Sequence, residues 1–149
     1  MGLALLGDIV IAARSAIFIQ VFAPQLGIIP DMGSTWHLQR LVGRARALGM
    51  AMLGDRISGE QAEEWGLIWK CVDDDALMDE AMSIANRLKD GPTATFREVR
   101  QAIAHAENAT MAEQLEYERE RQRVLTNAPN FMEGVTAFLQ KRKPVFSGE

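Results

Sequence analysis

The chain has 149 residues, 48% hydrophobic and 24% charged, with a formal net charge of −4 and a pI near 5.3. That is one domain's worth of chain with enough apolar material for a core, and its acidic balance excludes the basic face that a nucleic-acid partner needs. The single cysteine, Cys71, excludes an internal disulfide framework and a cysteine-based zinc site.

The opening, Met1 to Leu6, is apolar and is interrupted by Asp8. It lacks the basic start and longer apolar run of a secretory signal. No stretch approaches the roughly 20 apolar residues of a membrane span. The expectation is a soluble, cytoplasmic protein with no membrane partner, whose chain starts mid-domain. Ile9 to Ala13 is a β-branched apolar run, predicted to be a strand buried on both faces. Ala16 to Ile19 is a second short extended segment. Residues 20–33 hold Pro24, Gly27, Pro30 and Gly33 and read as a loop. Helical spacing returns over 34–53, with Gly43 as the break between two helices.

Ser58 with Gln61 predicts a capped helix ending at Gly66. A buried strand is expected over 68–72, holding Cys71 as a passive core thiol. Helices follow over 76–90, closed by Gly91, and from Pro92 in the first turn to about residue 108. Thr110 with Glu113 opens a helix to about residue 128, and Asn130 with Glu133 opens the last, which Pro144 closes. The whole reads as an α/β chain: residues 1–75 form part of a core that contains the 20–35 loop, and residues 76–149 form a helical region. Two or three short strands leave open edges, so strand partners are expected from elsewhere.

Sites in α/β folds sit in loops at the carboxyl ends of parallel strands, which singles out 20–35. Asp31 is its one carboxylate, among apolar neighbours, after Pro30 and before Gly33. A carboxylate so placed can serve as a general base. Standing three residues before Ser34, it can equally be a helix N-cap. His37 and His105 fall on different predicted helices without a ligand cluster, so no metal site is expected. Ser34 and His37 lack a carboxylate to complete a triad. Lys141-Arg142-Lys143 either complements a helix dipole or meets a phosphate. The charged residues of 113–123 read as a solvated face.

Several stretches resemble the enoyl-CoA hydratase/isomerase (crotonase) superfamily. They are Asp8-Ile9-Val10-Ile11-Ala12, Phe18-Ile19-Gln20, Leu26 through Thr35, Gly54 through Ser58 with Ala62 and Gly66-Leu67-Ile68, and Glu133-Gly134 through Ala137-Phe138 to Lys141-Arg142. The likeness spans essentially the whole chain and matches the C-terminal half of the family's pattern. It implies part of a ββα spiral core followed by a C-terminal helical trimerisation region, giving a homotrimer or hexamer. It also implies an acyl-CoA substrate, with coenzyme A as part of that substrate and no separate cofactor, and an oxyanion hole whose donors lie mostly upstream. Hydratases of the family carry one glutamate at the position matched by Gly2 and another in the loop matched by residues 21–26, and neither is present. Asp31 instead matches the catalytic aspartate of dienoyl-CoA isomerases and of the ring-epoxide (1,2-epoxyphenylacetyl-CoA) isomerases of phenylacetate catabolism, and the flanking stretches look most like the latter group. The resemblance thus implies an isomerase of fatty-acid or phenylacetate metabolism. Asp31 is its catalytic base. Phe22, Leu26, Ile29, Pro30, Met32, Phe138 and Lys141 are its substrate-binding residues. A hydratase and a non-catalytic assembly partner are the alternatives.

Overall fold

The computed structural model describes residues 1–148. The chain forms two compact units, one from Met1 to Met82 and one from Ser83 onward. A short 3-10 helix, Gly2–Leu6, comes first. Strands β1 (Ile11–Ala13) and β2 (Ile17–Phe18) follow, then a turn of π-helix at Phe22–Leu26 and helix α1 (Ser34–Leu53). Strand β3 (Ile57–Ser58), helix α2 (Gly59–Glu64), strand β4 (Lys70–Val72) and helix α3 (Leu77–Lys89) complete the first unit and lead into the second. Helices α4 (Thr93–Ala106), α5 (Met111–Leu125) and α6 (Pro129–Leu139) make up the rest.

β1 pairs with β4 in parallel, Ile11 opposite Lys70 and Ala13 opposite Val72. β2 pairs antiparallel with β3, Ile17 opposite Ser58. The expectation that the first strand is buried on both faces is not met. Ala12 is buried, but Ile11 and Ala13 are only half-buried and Ile9 stands outside the strand, exposed. The cause is the alternation of the pleat: Ala12 faces the core, while its neighbours face the thinly covered side of a two-stranded piece. Cys71 is likewise half-buried, packed against the core's edge.

The core lies in the first unit. Phe18, Leu38, Val42, Met50, Leu67 and Ile68 form one cluster, and full burial of each large side chain is worth about 1.5–3 kcal/mol. The carboxyl ends of β1 and β4 are bolted together by charge. Arg14 Nε donates to Asp73 Oδ1 at 2.8 Å, its guanidinium also meets Glu60, and the Ser15 N–H donates to Asp74 Oδ1 at 3.0 Å. Hydrogen bonds from Ser15, side chain and backbone, hold the Asp74 carboxyl below its usual range.

Helix ends follow the predicted caps in most places. Ser58 Oγ accepts from the Gln61 N–H, while the same residue pairs with Ile17, so the helix cap doubles as a strand that the pattern did not announce. Thr110 and Glu113 form a complete reciprocal box. Pro92 is the N-cap of α4, one position outside its first turn. α1 breaks at Gly43, φ 78° and ψ 162°, a backbone conformation open only to glycine at low cost.

Asn130 and Glu133 do not cap α6, which starts two residues earlier than such a box would place it, with Pro129 at N1 and Ala128 as N-cap. Both side chains bind the tail instead. Asn130 Nδ2 donates to Ser147 O and Asn130 Oδ1 accepts from the Ser147 N–H. Glu133 receives two hydrogen bonds from Arg142, 2.6 and 2.9 Å, and one from the Val145 N–H, 2.8 Å. Proline already satisfies the first turn by lacking an N–H, which frees these side chains for the strap.

The Arg142 guanidinium and the Val145 N–H pull the Glu133 carboxyl from its ordinary 4.5 down to about 2. A depressed carboxyl contributes stability that is present above its unfolded value and drains away as pH falls toward the folded one. Stability of the tail strap should therefore decline from about pH 4.5 to about pH 2. Melting temperatures at about pH 5 and about pH 3 should converge for Glu133→Gln relative to the parent. An equal acid sensitivity in both proteins would show that the strap is not the group responsible.

Candidate functional site

The 20–35 segment leaves the β2–β3 pair at Gln20, which is buried and whose Nε2 has no partner among the described residues. The π-helical turn Phe22–Leu26 ends on Gly27 in the left-handed region. This turn lies inside the stretch read as loop. Pro24 sits early in it, where a missing N–H breaks no helical bond. Beyond it Ile28 and Ile29 are exposed, Ile29 by 80%, and Pro30 is buried. Asp31 is exposed. The carboxylate is thus not enclosed in an apolar pocket. It stands at the surface, on a segment whose apolar side chains Leu26, Ile28, Ile29 and Met32 are themselves more than half exposed. Phe22 is half-buried behind them.

The two readings of Asp31 separate in the structure. Helix α1 has Gly33 as its N-cap and no side-chain cap, so Asp31 does not cap it. Its backbone carbonyl accepts from the Ser34 N–H at 2.9 Å. Between them Met32 has φ 52° and Gly33 φ 70°. A four-residue turn with two positive central φ values is of the I′ kind, which asparagine and glycine normally fill. Met32 in that place costs about 1–2 kcal/mol. Among the described residues the Asp31 carboxylate has no hydrogen-bond or ion-pair partner. The turn thereby presents one free carboxylate to solvent beside apolar side chains that a ligand could cover.

Ser34 is 1% exposed and its hydroxyl has no partner among the described residues, so it is not open to solvent as a nucleophile. His37 lies against Gly33, and its ring meets Trp36 edge-on at 4.8 Å. His105 stacks on Tyr117 and pairs with Gln114. Among the described residues no three His, Cys, Asp or Glu side chains gather to hold a metal. Sequence reasoning missed the positive φ of Met32 and the burial of Ser34. The Asp-Met-Gly-Ser string carried a signal for the first, since a turn residue followed by glycine at a helix start is the pattern of a tight turn.

Phe138 and Lys141 lie in the second unit. Phe138 is 82% exposed and borders an apolar groove of about 420 Å³ with Phe131, Val135, Leu139 and Phe146. Lys141 terminates α6 with φ 53°. The Arg142 N–H reaches back to Ala137 O and the Lys141 N–H to Phe138 O, which is a Schellman closure. α2 closes the same way, but with Gly66 at the left-handed position. Lysine therefore occupies a position where glycine is the unstrained choice. Of the residues singled out beforehand, Phe22, Leu26, Ile29, Pro30, Asp31 and Met32 fall on one segment of the first unit. Phe138 and Lys141 fall on the end of one helix of the second.

The chain matches the enoyl-CoA hydratase/isomerase family over residues 1–149. It is 52% identical over 147 residues to the 1,2-epoxyphenylacetyl-CoA isomerase of Escherichia coli (strain K12), covering 99% of this chain and 56% of that protein. It is 43% identical to a probable enoyl-CoA hydratase of Rhodobacter capsulatus, covering 98% of this chain and 56% of the relative. A solved structure from Mycobacterium abscessus, described as a putative enoyl-CoA hydratase/isomerase, superposes with a TM-score of 0.95 at 40% identity, covering 99% of this chain and 56% of that one. The chain thus spans about half the length of the relatives it matches, and its α/β architecture is part of the crotonase fold. It belongs to the enoyl-CoA hydratase/isomerase family.

Proposed function

We propose that this chain carries the proton-transfer part of an acyl-CoA isomerase, with Asp31 as the general base. The observation behind this reading is the free carboxylate at the head of a tight turn, engaged in no cap, on a segment with exposed Leu26, Ile28, Ile29 and Met32. A CoA thioester acidifies protons on the adjacent carbon. Asp31 removes one, the electrons move onto the thioester oxygen as an enolate, and Asp31 returns the proton at another carbon of the acyl chain. The enolate oxygen calls for backbone N–H donors. The apolar side chains around Asp31, with Phe22 and Pro30, would cover the acyl group and exclude water.

The 52% identity to the E. coli 1,2-epoxyphenylacetyl-CoA isomerase supports a ring-epoxide acyl-CoA as substrate and a place in phenylacetate catabolism. There the same carboxylate would assist opening of the epoxide to an oxepin. Phe138 and Lys141 would contact the coenzyme A portion, which enters as part of the substrate; no further cofactor is called for. The strain at Lys141 supports this role, because a lysine kept where glycine is cheaper needs a use. A homotrimer or hexamer in the cytoplasm completes the reading, supported by exposed Met111, Leu115, Phe131 and Phe138 on α5 and α6. No described helix is long and apolar enough to cross a membrane. Hydration is the second reading, favoured by the R. capsulatus relative named a probable enoyl-CoA hydratase. Adding water needs a separate acid and base around that water. Residues 21–26 hold no acid, and Gly2 has no side chain.

Three outcomes are expected. Asp31→Asn should lower α-proton exchange of an unsaturated acyl-CoA in heavy water by about 100-fold or more while CoA binding persists; unchanged exchange would remove Asp31 as the base. Lys141→Gly should raise stability by about 1 kcal/mol yet weaken CoA binding, with the loss shrinking at high salt. Denaturant melts and calorimetric titration read the two effects, and a variant that binds as tightly as the parent ends the CoA role. Light scattering of the purified chain should show more than one protomer, and a clean monomer would retire the oligomer.

A further inference from the structure

We propose that Gly2 is a positioning residue for Asp31: the missing side chain at position 2 gives the Asp31–Ser34 turn its seat, and so fixes where the carboxylate stands. Gly2 is buried. A Cβ placed on it would lie 2.7 Å from Met32 Cβ, 2.8 Å from Ser34 Oγ and 3.3 Å from Met32 O. Carbon atoms in contact sit about 3.5–4.0 Å apart, so the first of these is a collision. Ser34 Oγ could swing away on one bond. Met32 Cβ could not, because it is fixed to the backbone whose positive φ makes the turn. Any side chain at position 2 therefore has to push Met32, and Met32 is covalently next to Asp31.

The same contact limits what chemistry the site can hold. A second carboxylate cannot enter from position 2 while the turn keeps this shape. The arrangement favours one carboxylate that takes and returns a proton over a pair that would activate and deliver water. This step rests on the reading of Asp31 as the proton-transfer group. The steric interlock itself does not, so the two can be tested apart.

The test is a two-by-two cycle in the 149-residue chain: parent, Gly2→Ala, Met32→Gly and the double variant. Two quantities are read, α-proton exchange of an unsaturated acyl-CoA resolved into kcat and KM, and hydrogen-exchange protection of the Ser34 amide, which closes the turn on Asp31 O. In the parent background Gly2→Ala should cut kcat by roughly tenfold or more with KM little changed, and should lower Ser34 protection by a similar factor. In the Met32→Gly background, where the obstructing Cβ is gone, the same Gly2→Ala change should alter both by less than about twofold. Equal losses in the two backgrounds, or no loss in the parent, overturn the proposal. If Gly2→Ala does not fold, recovery of folded protein by Met32→Gly upholds the interlock and failure to recover it sinks it. If the parent itself shows no exchange, Ser34 protection alone decides whether Gly2 seats the turn.

Discussion

Two neighbouring residues with positive φ, Met32 and Gly33, reverse the chain between a buried proline and the buried Ser34 that opens α1. Glycine takes that conformation freely, but methionine does not, and the difference of about 1–2 kcal/mol has to be met by packing around it. Pro30 on one side and Ser34 on the other are both buried, which holds the two ends of the turn. The tip between them has no such cover. A carboxylate on this turn is consequently tethered to a backbone held at both ends and open in access, which suits the general-base role proposed for it.

The helix ends were the more legible part of the chain. Ser58, Thr110 with Glu113, and Gly66 act locally, through a hydroxyl or a missing Cβ within a few residues of the helix end, so a sequence string contains the whole cause. The Asn130–Glu133 pair shows where that logic fails. It has the spacing of a capping box, but Pro129 had already set the helix start. The side chains then found partners in Arg142, Val145 and Ser147, which no local window includes. β3 escaped for a related reason: two residues of strand exist only because Ile17 and Phe18 lie opposite. Burial of β1 was over-read because an apolar run reports what a strand can tolerate, not how many layers cover it.

For the site, the string around Asp31 showed that a carboxylate sits in a turn before a helix, and left its task open between capping and chemistry. The structure removes the capping task, because Gly33 has taken the cap position, and the chemical task is the one proposed above. The second unit shows the same economy at its own helix end. Glu133 anchors Arg142 and the tail, and this leaves Lys141 projecting from a closure that Gly66 achieves elsewhere without a side chain. The strap fixes the backbone so that the strained residue cannot relax by fraying.

Gly43 differs in kind from Gly2. Nothing lies within 4 Å of where its Cβ would be, so volume does not restrict it. The restriction is its φ of 78° with ψ of 162°, which an L-residue cannot adopt cheaply and its mirror image can. The break in α1 is thus a matter of handedness alone. A D-alanine placed there by chemical synthesis would keep the bend, and would lose less chain entropy on folding than glycine does, whereas its L-enantiomer would have to straighten or distort the helix.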